Sequence, residues 1–294
     1  MTGTRALTAG RDLGAHAVAT AGWWRQLTWV TLRQQRVALM AVLGLFTVPA
    51  TYMALNGLWT RHHFDLTKLK LESGVLFPYA WEQYPLYSAL ALLPVLAGIA
   101  LGAPLVASEM ESGTIGFAWM QGIGKGSWLI AKVIPVAVVL ALAAAALGLE
   151  FRWWQQPYLI NQGPPPGWAA LLFGLNPLPY AGWMVLGFSL GVLAGTVARR
   201  TVPAVVATIV GYSALFHFWP SWRPYYLPPV HHVFQLLHTN STGVYPFLLI
   251  NPGQGIGQPD SRLGLFQCLE LGWLVVASAL LVAGAIALIR RRSA

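Results

Sequence analysis

The stretch SEMESGTIGFAWMQGIGKGSW (residues 108–128) lies between two long apolar runs, 85–107 and 127–149. It contains two of the chain's nine carboxylates, five glycines and one lysine. Each flanking run is long enough to cross about 30 Å of hydrocarbon as a helix that rises about 1.5 Å per residue. The stretch is therefore predicted to be a polar connection between two membrane spans.

The composition of the whole chain supports a membrane protein. Of 294 residues, 56% are hydrophobic and only 9% are charged, whereas about a quarter of the residues in a soluble domain are charged. So few charges could not cover the surface of this chain in water, which indicates a polytopic membrane protein. The chain has one cysteine, Cys268, so no intrachain disulfide can form.

Hydropathy divides the chain into six predicted spans. Lipid offers no hydrogen-bond partner to unpaired backbone groups, so all of them should be helices. The fold class is therefore all-α, with a large outer loop between spans five and six. We treat residues 1–294 as one transmembrane domain: an interfacial segment (1–36), a six-span bundle (37–289) and a short tail (290–294). The six runs are 37–59, 85–107, 127–149, 177–197, 202–219 and 265–289.

The distribution of charge predicts the topology. If the N-terminus is cytoplasmic, twelve of the eighteen cations and three of the nine acids lie inside. The outside then has six cations and six acids, so the formal excess of +9 lies wholly on the inner side. This positive-inside bias favours cytoplasmic N- and C-termini and places residues 108–128 in the cytoplasm. The basic excess therefore requires no nucleic-acid partner.

Two segments outside the spans lead to further structural predictions. Trp23, Trp24 and Leu27 precede the first span, beside arginines on other faces, which indicates an amphipathic helix on the inner leaflet. In the large outer loop, PPVHHVFQLLHT (228–239) and VYPFLLI (244–250) are apolar but too short to span. We interpret each as a helix or a re-entrant segment at the outer surface.

The sequence provides no motif for catalysis, cofactor binding or metal binding. A phosphate-binding loop requires G-x-x-x-x-G-K-[ST], but Trp119 occupies the first glycine position and Gly126 follows Lys125. GQGIGQ (253–258) follows no predicted strand. The paired histidines at 62–63 and 231–232 have no acidic or cysteine partner at ligand spacing. No Ser-His-Asp set or zinc-binding helix motif is present.

Small and polar residues inside the spans suggest further roles. Gly187, Gly191 and Gly195 lie four residues apart in span four, and Gly98 and Gly102 repeat this spacing in span two. Such spacing allows helices to pack closely, within one subunit or between subunits. Gln267 and Glu270 share a face of span six. One hypothesis places them on a substrate pathway; the alternative is that Glu270 reaches the outer interface.

Residues 102–133 contain the pattern E-x-E-x-G-T, then A-W-x-Q, a basic residue, W and K. It is formed by Glu109, Glu111, Gly113, Thr114, Ala118, Trp119, Gln121, Lys125, Trp128 and Lys132. With this pattern, residues 102–133 resemble a family of bacterial ABC-exporter permeases with six spans per subunit. The resemblance extends to the actinobacterial branch, which includes antibiotic self-resistance exporters, and TLRQQR (31–36) resembles that branch as well. Met120 and GIGKG (122–126) depart from the family pattern.

The resemblance implies a function in the bacterial plasma membrane. Two copies of the permease, as a homodimer, would pair with two copies of a separate ABC ATPase, which binds ATP and Mg. A drug, lipid or modified peptide would then move outward by alternating access. The coupling residues would be Glu109, Glu111, Gly113, Thr114, Trp119, Gln121 and Lys125. The alternative function is a membrane anchor or sensor subunit of a signalling complex, which transports nothing.

Overall fold

Among the residues that the computed structural model describes, six helices are long and apolar enough to cross a bilayer. The structure describes residues 29–65, 83–113, 124–162, 169–230, 248–251, 256–258 and 260–291. The predicted all-α class and the predicted number of spans are confirmed. The spans are Arg36–His63, Gln83–Glu111, Lys125–Leu159, Pro177–Ala198, Thr201–Trp219 and Leu263–Arg291.

The spans alternate in direction, so the bundle has two ends. We call the end that holds Glu111, Lys125 and Thr201 the basic end. The opposite end, which holds His63, Arg223 and Leu263, we call the loop end. Residues 29–34 are helical and lead into span one at the basic end. Trp23, Trp24 and Leu27, the predicted interfacial residues, lie outside the described ranges.

The third helix is longer than the sequence predicted. It runs over Lys125–Gln162, whereas the predicted span ended at residue 149. Phe151, Trp154 and Tyr158 recur at helical spacing beyond that point and are all buried. Their aromatic packing keeps the chain helical after the strongly apolar run ends. Glu150 therefore lies on a helix rather than in the predicted outer loop.

The outer loop contains a small hairpin. Leu248–Asn251 pairs with Ile256–Gln258 as two antiparallel strands. The prediction of a helix or re-entrant segment over 244–250 was therefore wrong where the structure describes it. The sequence that follows accounts for the difference, since Pro252-Gly253 is typical of turns and a proline interrupts a helix. The other predicted apolar segment (228–239) lies mostly outside the described residues.

Span four is the centre of the bundle. Sixteen of its 22 residues are buried, and it contacts spans two, three, five and six. A short helix, Ala169–Gly174, precedes it. Span one instead packs against spans two and three. Spans one, five and six expose large apolar side chains on their outward faces, such as Val48, Val202 and Leu280, as a bilayer environment allows.

Backbone meets backbone where spans two and four cross. A Cβ atom built on Gly187, Gly191 or Gly195 would overlap the carbonyl oxygen of Pro94, Gly98 or Ala103 respectively. From the other side, a Cβ on Gly98 would overlap the Gly187 carbonyl oxygen, and one on Gly102 the Phe188 carbonyl oxygen. Only glycine permits this approach, because any side chain would have to occupy the space of the facing backbone.

Span two changes its winding at the same crossing. Gly98–Gly102 is a π-helical turn between the α-helices Gln83–Ala97 and Ala103–Glu111. The Ala103 N–H donates to the Gly98 carbonyl oxygen, five residues back. Pro104 follows and has no N–H to form the regular α-helical bond. The wider turn therefore lies where the glycines of span four require close approach.

Polar side chains join the loop ends of spans one and three. The Asn56 side-chain oxygen accepts hydrogen bonds from Trp154 Nε1 (2.8 Å) and Tyr158 Oη (3.0 Å). Gly57 lies against the rings of Trp153 and Trp154. These contacts fix the part of the third helix that extends beyond the predicted span.

The crossing leads to a first prediction. Gly191→Val would place a branched side chain against the backbone of Gly98 and Ala103, where rotamer changes cannot relieve the overlap. We expect a loss of stability of at least about 1–3 kcal/mol, the usual cost of overpacking, seen as a lower thermal unfolding midpoint in detergent. Gly272→Val is the matched control, because a Cβ on Gly272 meets no atom within 4 Å. Equal midpoints for the two variants would contradict this crossing.

Candidate functional site

Glu109 joins span two to span three at the basic end. Its side chain forms an ion pair with Lys132, and the side chains are 24% and 8% exposed respectively. The Lys132 ammonium also lies 4.6 Å from the centre of the Trp128 ring, a cation–π contact. Both charges are therefore held within the chain, and the pair connects residues that are 23 positions apart.

Glu111 joins span two to span five. Its Oε2 atom accepts hydrogen bonds from the Thr201 backbone N–H (3.1 Å) and from Thr201 Oγ1 (3.0 Å). Thr201 is the first residue of the helix that forms span five. A carboxylate there satisfies a free N–H of the first turn and lies at the positive end of the helix dipole.

The connection between spans four and five brings Thr201 to this position. The last turn of span four ends at Arg199, whose φ of 56° is left-handed and whose N–H donates to the Gly195 carbonyl oxygen. Two residues, Arg199 and Arg200, therefore reverse the chain before span five begins. This tight reversal holds the start of span five beside the end of span two, which is close enough for the Glu111 contact.

Glycines shape both ends of the polar connection. Gly113 has a φ of +72° and ends span two in the left-handed region that glycine favours. Lys125 begins the third helix. At Gly126, a Cβ would lie 2.8 Å from Arg290 Nη2, so the start of span three and the end of span six are in close contact.

The structure thus describes four of the seven residues predicted to couple the protein to an ATPase. Glu109, Glu111, Gly113 and Lys125 lie together at the basic end; Thr114, Trp119 and Gln121 lie outside the described ranges. Sequence reasoning missed Thr201 altogether and did not identify Lys132 as the partner of Glu109. The coupling role of these residues stays a prediction.

A second polar cluster lies at the loop end, around Glu270. Glu270 is fully buried, so its side chain does not reach the interface as one of the sequence interpretations had it. Arg223 Nη2 donates to Glu270 Oε1 (2.8 Å), and Tyr226 Oη donates to Glu270 Oε2 (2.6 Å). Trp219 Nε1 donates to Tyr226 Oη (3.1 Å). Both oxygens of this carboxylate are therefore satisfied inside the protein.

Arg223 is enclosed although the sequence placed it in an outer loop. Its side chain is 1% exposed, and its guanidinium lies 4.7 Å from the centre of the Phe173 ring. It begins the 3₁₀ turn Arg223–Tyr225, directly after the helix that forms span five. Burial, and then the charge of Glu270, raise the pKa of Tyr226 far above its ordinary value. The hydroxyl therefore remains a protonated donor to Glu270.

The hairpin and the start of span six hold this segment in place. Gln258 Nε2 donates to the carbonyl oxygens of Pro224 (3.0 Å) and Leu227 (2.9 Å). Arg262 Nη1 donates to Gln258 Oε1 (3.0 Å) and to the Pro228 carbonyl oxygen (2.9 Å). The second strand thus fixes the turn that carries Arg223 and Tyr226.

Gln267 lies one helical turn before Glu270 and is also buried. Its side-chain nitrogen has no hydrogen-bond partner among the described residues. The two residues therefore share a buried polar face, as their spacing predicted. Their role on a substrate pathway stays a hypothesis. Within the described ranges, no three His, Cys, Asp or Glu side chains come together in a group that could hold a metal ion.

Within the described residues, six alternating apolar helices, three of which are linked at one end by Glu109 and Glu111, are the architecture of a multi-pass membrane protein. The family model described as ABC-2 membrane transporter related matches residues 37–223, more than half of the chain. The chain therefore belongs to the ABC-2 membrane transporter related family, and it is a permease subunit of an ABC transporter. No curated protein and no solved structure matches it.

The buried ion pair leads to a second prediction. Glu270→Ala should lower the free energy of unfolding by about 3–5 kcal/mol, because it leaves the Arg223 charge buried without this carboxylate. Arg223→Met/Glu270→Leu should recover most of that loss, since it removes both charges and keeps the volume. Unfolding in detergent would be measured for each variant. The control is Arg152→Met, which removes an exposed cation.

A result in which the single Glu270→Ala variant is as stable as the control would show that the pair does not hold the loop end together. A double variant less stable than the single one would also contradict the prediction.

Proposed function

We propose that this permease is the transmembrane subunit of an ATP-driven exporter that moves a hydrophobic or amphipathic substrate outward. The substrate would be a drug, a lipid or a modified peptide. The chain would work as a homodimer with two copies of a separate ABC ATPase, which binds ATP and Mg. The termini would be cytoplasmic in a bacterial plasma membrane. The resemblance of residues 102–133 to the actinobacterial branch supports a drug-exporting role.

The observation that carries this proposal is the pair of carboxylates at the end of span two. Glu109 bonds to span three and Glu111 bonds to span five. If the connection between spans two and three were displaced, these contacts would therefore pass the movement to spans two, three and five together. A permease driven by a partner at this end requires such a linkage, because the partner touches only the ends of the helices.

The same contacts assign different tasks to the two parts of residues 108–128. Glu109 and Glu111 already bond inside the chain, so in this proposal they position the connection rather than bind the ATPase. Residues 114–123, with Trp119 and Gln121, then form the surface that the ATPase contacts. An aromatic anchor such as Trp119 is a common centre of binding energy in an interface.

Nucleotide chemistry belongs to the partner in this proposal. The sequence has no phosphate-binding loop at Gly124-Lys125, and the family consists of membrane components of ABC transporters. ATP binding would close the ATPase dimer beneath the basic end. The linkage through Glu109 and Glu111 would pass that motion to spans three and five, and the loop end would open.

The linkage leads to a third prediction. In vesicles that contain the permease and its ATPase, Glu111→Ala should lower the amount of substrate exported per ATP. We expect a decrease of about fivefold or more, which is the size of effect that allosteric coupling free energies usually produce. ATP hydrolysis should continue. Glu111 is exposed, so insertion and stability should change little. The control is Glu150→Ala, which removes a carboxylate on span three remote from the basic end.

A charge exchange makes the test specific to the linkage. Glu109→Lys and Lys132→Glu should each uncouple hydrolysis from export, and the two together should restore coupling, because the ion pair re-forms with reversed sign. Restoration would not follow if Glu109 acted by contacting the ATPase. Wild-type export by the Glu109→Ala/Glu111→Ala variant would refute the linkage. Binding of the ATPase without any export, in the wild-type protein, would favour a sensor subunit.

A further inference from the structure

Arg61 is held between spans one and three near the loop end. Its Nη1 atom donates to the Gly57 carbonyl oxygen (3.2 Å), and its Nη2 atom donates to the Trp153 carbonyl oxygen on the third helix. The guanidinium carbon also lies 4.0 Å from the centre of the Trp153 ring, a stacked cation–π contact. The side chain is nevertheless only half-buried. Three contacts thus fix one accessible cation at the surface where the two helices meet.

Gly57 makes room for the ring that carries this cation. A Cβ built on Gly57 would lie 2.6 Å from Cζ3 and 2.9 Å from Cη2 of Trp153. Because glycine has no side chain, the indole can lie against the backbone of span one. Trp153 itself is 37% exposed. The ring and the guanidinium therefore form one surface that faces the surroundings of the protein.

Arg61 has no carboxylate to balance its charge. Within the described ranges, no acidic side chain lies at ion-pair distance from it. A guanidinium has five N–H donors, and two of them bond to the carbonyl oxygens of Gly57 and Trp153. By contrast, Arg223 is paired with Glu270 and enclosed. An anion from the surroundings could bond to the donors of Arg61 that remain and compensate its charge.

The length of span one places this cation at a particular depth in the bilayer. The helix Arg36–His63 has 28 residues, or about 42 Å, close to the thickness of a bilayer with its headgroups. The Arg61 guanidinium bonds back toward Gly57 and not outward past His63. It therefore lies at the boundary between hydrocarbon and headgroups. Trp59, two residues before Arg61, is 42% exposed, and tryptophan is enriched at that boundary.

The surroundings at this depth favour a phospholipid. The phosphodiester of a lipid is the abundant anion where hydrocarbon meets headgroups. Leu149 and Leu142 precede Trp153 on the third helix at helical spacing and are 60% and 67% exposed, so an apolar strip leads from the ring toward the bilayer centre. Arg152, beside Trp153, is an exposed second cation. A lipid of net negative charge is therefore favoured over a zwitterionic one, whose ammonium group would meet two cations.

We propose that Arg61 and Trp153 form a binding site for an anionic phospholipid in the leaflet at the loop end. The phosphodiester accepts hydrogen bonds from the guanidinium, and an acyl chain lies along Leu149 and Leu142. The inference goes beyond the proposed function. It concerns a site within one subunit and holds whether or not the chain exports anything.

Photolabelling of the full-length protein in detergent micelles tests the proposal. The probe is a phosphatidylglycerol with a diazirine near its headgroup, and peptide mapping measures the label on spans one and three. Three unlabelled lipids with the same chains compete with it. Phosphatidylglycerol should compete about fivefold better than phosphatidylcholine, the effect of one charge at a membrane surface. It should compete about tenfold or more better than a glucosyl diacylglycerol, which has no phosphate.

Two variants and a control locate the site. Arg61→Gln should lower the affinity of spans one and three for the probe about tenfold or more, the loss of a charged hydrogen bond. Arg61→Lys keeps the charge but loses the planar stacking surface, so it should recover only part of that loss. The control is Arg200→Gln, which removes an exposed cation at the basic end. It should label like the wild type. Unfolding midpoints would establish that each variant is folded, and the competition series requires only the wild type.

Other outcomes would overturn the proposal. If the glucosyl lipid competes as well as phosphatidylglycerol, the helices bind acyl chains and the phosphate has no role. If phosphatidylcholine competes equally well, the selection of a net negative charge is wrong. Equal labelling of Arg61→Gln and Arg200→Gln would show that Arg61 forms no site. If glycerophosphoglycerol, the headgroup without chains, displaces the probe, the ligand is a soluble phosphodiester and not a lipid.

Discussion

The contact of backbone with backbone between spans two and four is the constraint on which the rest of this structure depends. In lipid, apolar side chains gain little by leaving their surroundings, so close packing and polar contacts must hold helices together. Five glycines remove the side chains from the crossing, and the π-helical turn lies at the same point. Span four thereby becomes the buried centre around which spans three, five and six are arranged.

Charged side chains complete the bundle at its two ends. At the basic end, Glu109 and Glu111 connect span two to spans three and five. At the loop end, Glu270 connects span six to the segment that follows span five through Arg223 and Tyr226. The two ion pairs, Glu109–Lys132 and Arg223–Glu270, stabilise little by themselves, since burial of ions is costly. The contacts of these charged side chains join particular helix ends to one another, and in the proposed mechanism these ends move together.

The parts of the fold that could be predicted are those set by local sequence. A bilayer of fixed thickness demands about 20 apolar residues per helix, so the number of spans was readable from hydropathy. The partners of Glu109 and Glu270 could not be predicted from the sequence. Lys132 and Arg223 lie 23 and 47 residues away from them, and only the packing of the helices brings each pair together. Aromatic packing extended the third helix, and the hairpin consists of two short strands whose apolar residues hydropathy alone could not distinguish from a helix or a re-entrant segment. The ATPase-contacting surface around Trp119 remains a prediction.

The account rests most directly on which side of the membrane holds the connection between spans two and three. Cysteine accessibility in intact cells measures this, after Cys268→Ser removes the native thiol. A reagent confined to the outside should modify a cysteine placed at Thr67 or Gly257 and should not modify one placed at Gly116. Modification at Gly116 alone would put the basic end outside and would contradict both the coupling role and the proposed export.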